Sequence, residues 1–269
     1  MRLDRKFNDI LFETIQAKPN QFVAKIAINR PHRLNSWTSD TIDELIEAFR
    51  FVQNEKKIRV IILGSSCDEA FSTGGDVKER GNTGYKSTLS GEKVNVLELY
   101  DLIRYIPQPV IAVVKGYAIG GGQILQLCCD LTVAADNAIF GQNGPRVGSF
   151  DGGYGSHLLA LTVGVKRAKD LWFTLKRLNA YEALNWGLVN YVVPLAECDD
   201  YAIELARKII DLSPTSIKFL KYSINALIDG SYGFTHFAHA TTSLFYGTEE
   251  SKEGRDAFKE KRDPDFSKF

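Results

Sequence analysis

An α/β core followed by an α-helical C-terminal region is the fold class the sequence predicts, and three observations predict it. Two short apolar runs rich in β-branched residues, R-V-I-I-L-G at 59–64 and V-I-A-V-V at 110–114, read as strands buried on both faces of a parallel sheet. Helical periodicity lies between them, supplying the crossover that parallel strands need. From about residue 200 only helical patterns remain, so the chain divides into a core over 1–199 and a helical region over 200–269.

Residues 10–17 and 22–29 alternate apolar and polar side chains, and K-P-N-Q between them supplies a turn, which predicts an opening hairpin. R-P-H-R-L-N-S-W ends the second strand. Thr38 or Ser39 then caps a helix reaching about Val52, with Ile42, Leu45, Ile46 and Phe49 at helical spacing. After the 59–64 strand comes a long irregular stretch, 65–90, holding S-T-G-G-D-V-K-E-R-G-N-T-G-Y-K; a connection of that length inside a compact domain usually carries function. A helix over 94–106 is set apart by Pro107 and Pro109 from the 110–114 strand, which runs on through K-G-Y-A-I into Gly120, Gly121 and Gly122 and the apolar helix Q-I-L-Q-L-C-C. Residues 131–140 read as one buried strand. Beyond it, F-G-Q-N-G-P-R-V-G-S-F-D-G-G-Y-G-S at 140–156 holds six glycines in seventeen positions, a density that neither helix nor strand favours and that lets a ligand approach the backbone. Helices follow at 155–163, 166–175 and 180–185, then a short strand at 189–193 and helices at 200–212, 215–228, 234–246 and 252–259. No internal repeat is visible.

Composition excludes more than it identifies. Lys and Arg together number 33, as do Asp and Glu, so no net field attracts nucleic acid or an anionic membrane. An anionic ligand must be met by local charges. Cys67, Cys128, Cys129 and Cys198 show no metal-binding or C-x-x-C spacing, which predicts reduced thiols and no metal site. No apolar run of 18 residues occurs and the N-terminus lacks the apolar core of a signal peptide, so a cytoplasmic protein is expected.

Two glycine groups follow two buried strands, Gly74–Gly75 after the first and Gly120–Gly122 after the second. If those strands are neighbours, one amide from each converges on a single oxygen and forms an oxyanion hole. Neither group matches G-x-G-x-x-G or the G-x-x-x-x-G-K-[ST] phosphate loop. Ser149 and Asp151 lie in the loop between a strand and a helix, two residues apart and able to face one cleft; alternatively Asp151 caps the helix that follows.

Four segments in order, I-N-R-P…N at 28–35, A-F-S-T-G-G-D at 70–76, P-V-I-A-V-V-K-G-Y-A-I-G-G-G at 109–122 and C-D-L-T-V-A-A-D at 129–136, resemble the crotonase (enoyl-CoA hydratase/isomerase) superfamily along nearly the whole chain. The resemblance implies a superhelix of ββα turns with a helical C-terminal trimerisation region. It also implies a homo-oligomer, trimer or dimer of trimers, and an acyl-CoA thioester oxygen held by the amides of Gly75 and Gly121. Hydratases of that superfamily carry two glutamates where this chain has Ile124 and Gly144, neither able to move a proton, so hydration is not expected.

Within the superfamily, G-G-D-x-K-x-R-G at 74–81, Tyr85, F-G-Q-x-G-P at 140–145, V-G-S-F-D-G-G-Y-G-S at 147–156, Trp172, L-F-Y at 244–246 and the tail at 253–266 resemble the 1,4-dihydroxy-2-naphthoyl-CoA synthases of menaquinone and phylloquinone biosynthesis. That resemblance implies an intramolecular Claisen (Dieckmann) closure of o-succinylbenzoyl-CoA with loss of water. It assigns the enolate to Gly75 and Gly121, the substrate's free carboxylate to Ser149 and Asp151 with Asp151 as proton donor, and a further hydroxyl to Tyr246 from a neighbouring subunit. One branch of these synthases carries a carboxylate base at the position of Gly144; the other binds bicarbonate as the base. Gly144, Gln142 and Trp172 imply the bicarbonate branch. Contacts to CoA and the acyl group are implied at Arg33, Thr73, Gly74, Asp76, Val77, Lys78, Arg80, Tyr85, Tyr117, Ala118, Ile119, Gly120, Asn143 and Lys261. Read without the resemblance, Gln142 anchors a loop, Trp172 is a core aromatic, and Lys78, Arg80, Lys261 and Tyr85 are solvated surface. His32, His157, His236 and His239 match no catalytic position.

The chain departs from the synthase pattern at Leu34, Val77, Asn143 and Arg146, where arginine, glutamine, threonine and lysine are common, and Arg33 can substitute for the arginine missing at Leu34. These positions touch substrate more than proton transfer. Two alternatives follow: a ring-cleaving 2-ketocyclohexanecarboxyl-CoA hydrolase, which shares F-G-Q-x-G-P, and a non-catalytic member of the same fold. The second would carry a basic helix face and lost active-site groups, and neither is seen.

Overall fold

The opening hairpin forms as its alternation predicts: β1 (Ile10–Lys18) and β2 (Gln21–Ile28) pair antiparallel around Asn20, which takes the left-handed φ of 59° that the tight turn demands. The computed structural model describes residues 6–79, 85–86, 91, 96–149, 151, 153–230, 239 and 244–269. Arg80 and most of the helix expected over 234–246 lie outside the described residues. Thr38 starts α1 (Ser39–Asn54) with a reciprocal cap, its Oγ1 accepting from Thr41 N–H at 3.1 Å while Thr41 Oγ1 accepts from Thr38 N–H at 3.0 Å. Ile42, Leu45, Phe49 and Val52 then form its buried face.

Three successive chain segments each place one strand in each of two sheets. β3 (Ile58–Ser65) leads to β4 (Ala70–Ser72), β5 (Val110–Val114) to β6 (Tyr117–Ile119), and β7 (Leu131–Ala135) to β8 (Ile139–Gly141). The first member of each pair joins a six-stranded sheet in the order β1-β2-β3-β5-β7-β10, where β10 is Tyr191–Val193. The second joins a four-stranded sheet in the order β4-β6-β8-β9, where β9 is Arg177–Asn179. Helices α2 (Val96–Tyr105), α3 (Gly121–Cys128) and α4 (Gly155–Val163) follow the three pairs, giving the ββα turns expected of the resemblance. The residues expected as one strand over 131–140 are therefore two strands in different sheets. The polar pair Asp136-Asn137 makes the corner, and Asn137 ties all three corners together: its Oδ1 accepts from Gly116 N–H at 3.1 Å and its Nδ2 donates to Asp68 O at 3.1 Å. Gly116 turns the second corner at φ 59°, and a Cβ there would collide with the Glu69 carbonyl.

Helices α5 (Val165–Thr174) and α6 (Ala180–Asn185) continue the chain, and α7 (Cys198–Ile210) covers the larger sheet, placing Cys198, Ala202, Ala206 and Ile210 against Val60, Ile62, Ile111, Val113 and Val133. All four cysteines are free, and burial, with Asp199 beside it, pushes the Cys198 thiol up to about 12, that of an inert core residue. The chain divides into two compact units, Met1–Ile217 and Lys218–Phe269. Helix α7 belongs to the first unit. The second unit contains most of α8 (Pro214–Asp229) and all of α9 (Glu249–Glu260). There Arg262 grips Glu253 through two oxygens at 2.5 and 3.0 Å, holding that carboxyl down at about 2. No described helix is long and apolar enough to cross a membrane.

Candidate active site

The two glycine groups meet because β4 and β6, the strands that precede them, are neighbours in the smaller sheet. Gly74, at φ 82°, lies against Gly121: a Cβ on Gly74 would stand 2.7 Å from Gly121 N, and one on Gly121 would stand 3.3 Å from Gly74 Cα. Gly75 pairs with Trp37 in a parallel bridge in which Trp37 N–H donates to Gly74 O and Asp76 N–H donates to Trp37 O, each at 2.9 Å. That register uses the neighbours of Gly75 and turns its own N–H away from Trp37. Gly121 opens α3, so its N–H belongs to the first turn and has no intrahelical acceptor. Neither amide finds a partner among the described residues, which is what an oxyanion hole requires before its ligand arrives.

Both amides border a cavity of about 270 Å³. Of the residues the sequence singled out, Thr73, Gly75, Val77, Tyr85, Gly120, Gly121, Gln142, Asn143, Gly144, Ser149 and Trp172 line it. Tyr85 is therefore part of the wall and not a loop side chain in solvent, its ring 5.4 Å from that of Trp37. Ile124 stands in the wall too. Sequence reasoning missed Trp37, Val96, Tyr100 and Val147; Tyr100 and Val96 share one face of α2, a periodicity that signalled core and not cavity. Among the described residues the wall contains no Asp, Glu, His, Lys or Arg.

One corner has the makings of a small-anion site. Gln142, almost fully buried, donates its Nε2 to Gln123 Oε1 at 2.7 Å, so α3 fixes the amide that the loop carries. Trp172 Nε1–H is buried without an acceptor among the described residues, a deficit costing about 1–3 kcal/mol unless a ligand supplies one. Gly144 keeps the corner open: a Cβ there would come within 3.1 Å of Ser149 O and 3.5 Å of the Trp172 ring. Orphaned donor and open space fit bicarbonate.

Burial, with Cys128 and Asp151 nearby, raises the Tyr100 phenol well above its ordinary range, so it stays protonated. Its hydroxyl makes no hydrogen bond among the described residues, so Tyr100→Phe is expected to leave thermal stability nearly unchanged. A fall in melting midpoint beyond about 4 °C would show that the hydroxyl holds a structural bond.

Asp151 lies outside the cavity wall and does serve as a helix cap. Its Oδ1 accepts from Gly153 and Gly155 N–H at 3.0 Å each, and its Oδ2 from Ser156 N–H at 2.5 Å. It remains near the wall, since a Cβ on Gly155 would meet Ile124 at 2.7 Å and Asp151 Oδ1 at 2.8 Å. Asp76 is turned to structure as well, 3.8 Å from Arg30 and accepting from Lys78 N–H at 3.0 Å and Ser36 Oγ at 3.4 Å. Gly74 backs the site, Ala118 and Ile119 are buried in β6, and Tyr117, Arg33 and Lys78 are exposed outside the wall. Tyr246 and Lys261 belong to the second unit, where Tyr246 is 68 % exposed in a groove with Phe245, Arg255 and Phe266.

Comparison with known proteins agrees with this geometry. The enoyl-CoA hydratase/isomerase family matches residues 18–268. An enoyl-CoA hydratase from Bacillus anthracis is 32 % identical over 95 % of this chain and 98 % of its own, with a TM-score of 0.75. A monofunctional enoyl-CoA isomerase from M. smegmatis is 30 % identical over 83 % of this chain and 95 % of its own, with a TM-score of 0.69. An enoyl-CoA hydratase from Mycobacterium avium subsp. paratuberculosis K-10 is 27 % identical over 97 % of this chain and 99 % of its own, with a TM-score of 0.72.

Proposed function

The chain belongs to the enoyl-CoA hydratase/isomerase family, and we propose that within it the protein is a 1,4-dihydroxy-2-naphthoyl-CoA synthase, closing o-succinylbenzoyl-CoA by an intramolecular Claisen condensation. The observation that supports the reading is the cavity wall: among the described residues two amides without a partner border it, Ile124 and Gly144 stand in it at the positions the resemblance matches to the hydratase glutamates, and no carboxylate or imidazole lines it. Such a wall can hold a thioester enolate but offers no acid–base pair to add water.

The tasks divide as follows. Gly75 and Gly121 N–H hold the thioester oxygen as the α-carbon loses its proton. Gln142, Gly144 and Trp172 would hold bicarbonate, which supplies an oxygen base when bound. Ser149 orients the free carboxylate on the benzoyl ring. The α-carbon forms the new C–C bond to the carboxyl carbon, and the departing carboxyl oxygen leaves as water with two protons, one delivered by Asp151 and one equivalent to the proton the base took from the α-carbon; the second proton that the α-carbon loses as the ring becomes aromatic restores Asp151. Tyr246 adds a hydroxyl from a neighbouring subunit of a trimer or dimer of trimers, in a cytoplasmic enzyme without nucleic-acid or membrane partners.

The test is mass spectrometry of the CoA product after incubation with o-succinylbenzoyl-CoA, once with added bicarbonate and once in degassed buffer. A product lighter by one water, formed faster with bicarbonate, is expected. Unchanged substrate in both would overturn the synthase, and turnover of 2-ketocyclohexanecarboxyl-CoA would then identify a ring-opening hydrolase.

A further inference from the structure

Trp37 ends the segment after β2 and precedes the cap of α1, so its backbone is fixed on one side by that cap and on the other by the bridge to Gly75. Its indole is 7 % exposed and lines the cavity. The ring edge occupies the space both oxyanion glycines leave: Cη2 lies 3.1 Å from where a Gly75 Cβ would be, and Cζ2 lies 2.9 Å from where a Gly121 Cβ would be. The indole Nε1 is 3.3 Å from that same Gly121 position. One tryptophan thus fills the space beside both glycines and brings a nitrogen close to Gly121.

That nitrogen carries a hydrogen with no acceptor among the described residues. Unlike the Trp172 nitrogen it is not sealed from solvent, so it can meet a ligand in the cavity; a phenyl ring would press on both glycines equally well but bring no donor there. We propose that Trp37 Nε1–H is a third hydrogen-bond donor to the thioester oxygen, alongside Gly75 and Gly121 N–H. The inference rests on the reading that those two amides hold such an oxygen, and it is independent of which acyl group the thioester carries. A third donor suits a site whose described wall holds no acidic side chain, since each preorganised donor strengthens as charge moves onto the oxygen.

The test is the infrared carbonyl frequency of acetoacetyl-CoA labelled with carbon-13 at the thioester carbon, bound to the full chain and to two variants. Trp37→Phe keeps a ring and loses the N–H; 3-benzothienylalanine incorporated at position 37 keeps both rings and replaces N–H by sulfur, which guards against a packing defect. In the unmodified protein the bound carbonyl is expected to absorb below its frequency in water, and in both variants part of that shift is lost. Turnover is expected to fall about tenfold to hundredfold in each. An unmodified-protein shift that both variants retain in full would overturn the role of Trp37 while leaving the two amides in place. No shift in the unmodified protein would overturn the oxyanion reading itself, and the third donor with it.

Discussion

Replacing Asp151 by asparagine is expected to lower turnover by about a thousandfold, within the range that a positioned proton donor contributes. The side chain has two duties, and the geometry separates them. A carboxylate offers about four acceptor positions, and the Gly153, Gly155 and Ser156 amides take three. One position is left for a proton or a substrate oxygen. Asparagine can still accept from Gly153 and Gly155 but turns an N–H₂ toward Ser156 N–H, so part of the cap is lost at a cost of about 0.5–2 kcal/mol. For a chain of this size that is a fall of several degrees in melting midpoint and no loss of fold. Asp151→Ser separates the two effects, because serine caps a helix and cannot act as a carboxylic acid. If the serine variant melts near the unmodified protein and is equally inactive, the loss is chemical. Near-normal turnover in either variant would leave Asp151 as a cap alone.

The helix-capping role was legible beforehand, since an aspartate just before a helical run predicts it. The larger sheet was equally legible: β3 and β5 have five or more consecutive buried residues and β7 has four, long enough for pattern to show. The smaller sheet was not. β4, β6, β8 and β9 are three residues each, too short for any periodicity, and β6 and β8 follow their larger-sheet partners so closely that each pair reads as one strand. That sheet is nonetheless what brings Gly74 and Gly121 together. The glycines were conspicuous as residues, and their convergence depended on a conditional about neighbouring strands that only the fold could resolve.

The cavity residues divide in the same way. Gln142, Gly144 and Trp172 were found by resemblance, whereas the helix-borne Gln123 that holds Gln142 looked like one polar residue in an apolar stretch. Trp37 gave no signal, because a tryptophan before a capped helix reads as an ordinary staple to the core. Its significance comes from the two empty Cβ positions it fills, which belong to residues 38 and 84 positions further along the chain.

Those positions make Gly121→Ala the second large effect. Helix propensity alone would favour the change by roughly 0.5–1 kcal/mol, since alanine is a better helix former than glycine. Sterics oppose it: the new methyl would sit 2.9 Å from Trp37 Cζ2 and 3.3 Å from Gly74 Cα, and the second neighbour is backbone held at φ 82°. Trp37 cannot retreat freely, with its own backbone bonded to both Gly74 and Asp76. The strain is therefore relieved by parting β4 from β6, which moves the Gly75 and Gly121 amides out of convergence while the helix they start stays folded. Turnover is expected to fall by about a hundredfold to a thousandfold, the loss measured for a single oxyanion donor, with a melting midpoint close to that of the unmodified protein because propensity and strain offset. Trp37→Ala combined with Gly121→Ala removes one of the two clashes but leaves the one with Gly74 Cα, so the rate should not recover. Full activity in Gly121→Ala alone would mean that the thioester oxygen does not sit between these amides, and the site would have to be sought on another face of the cavity.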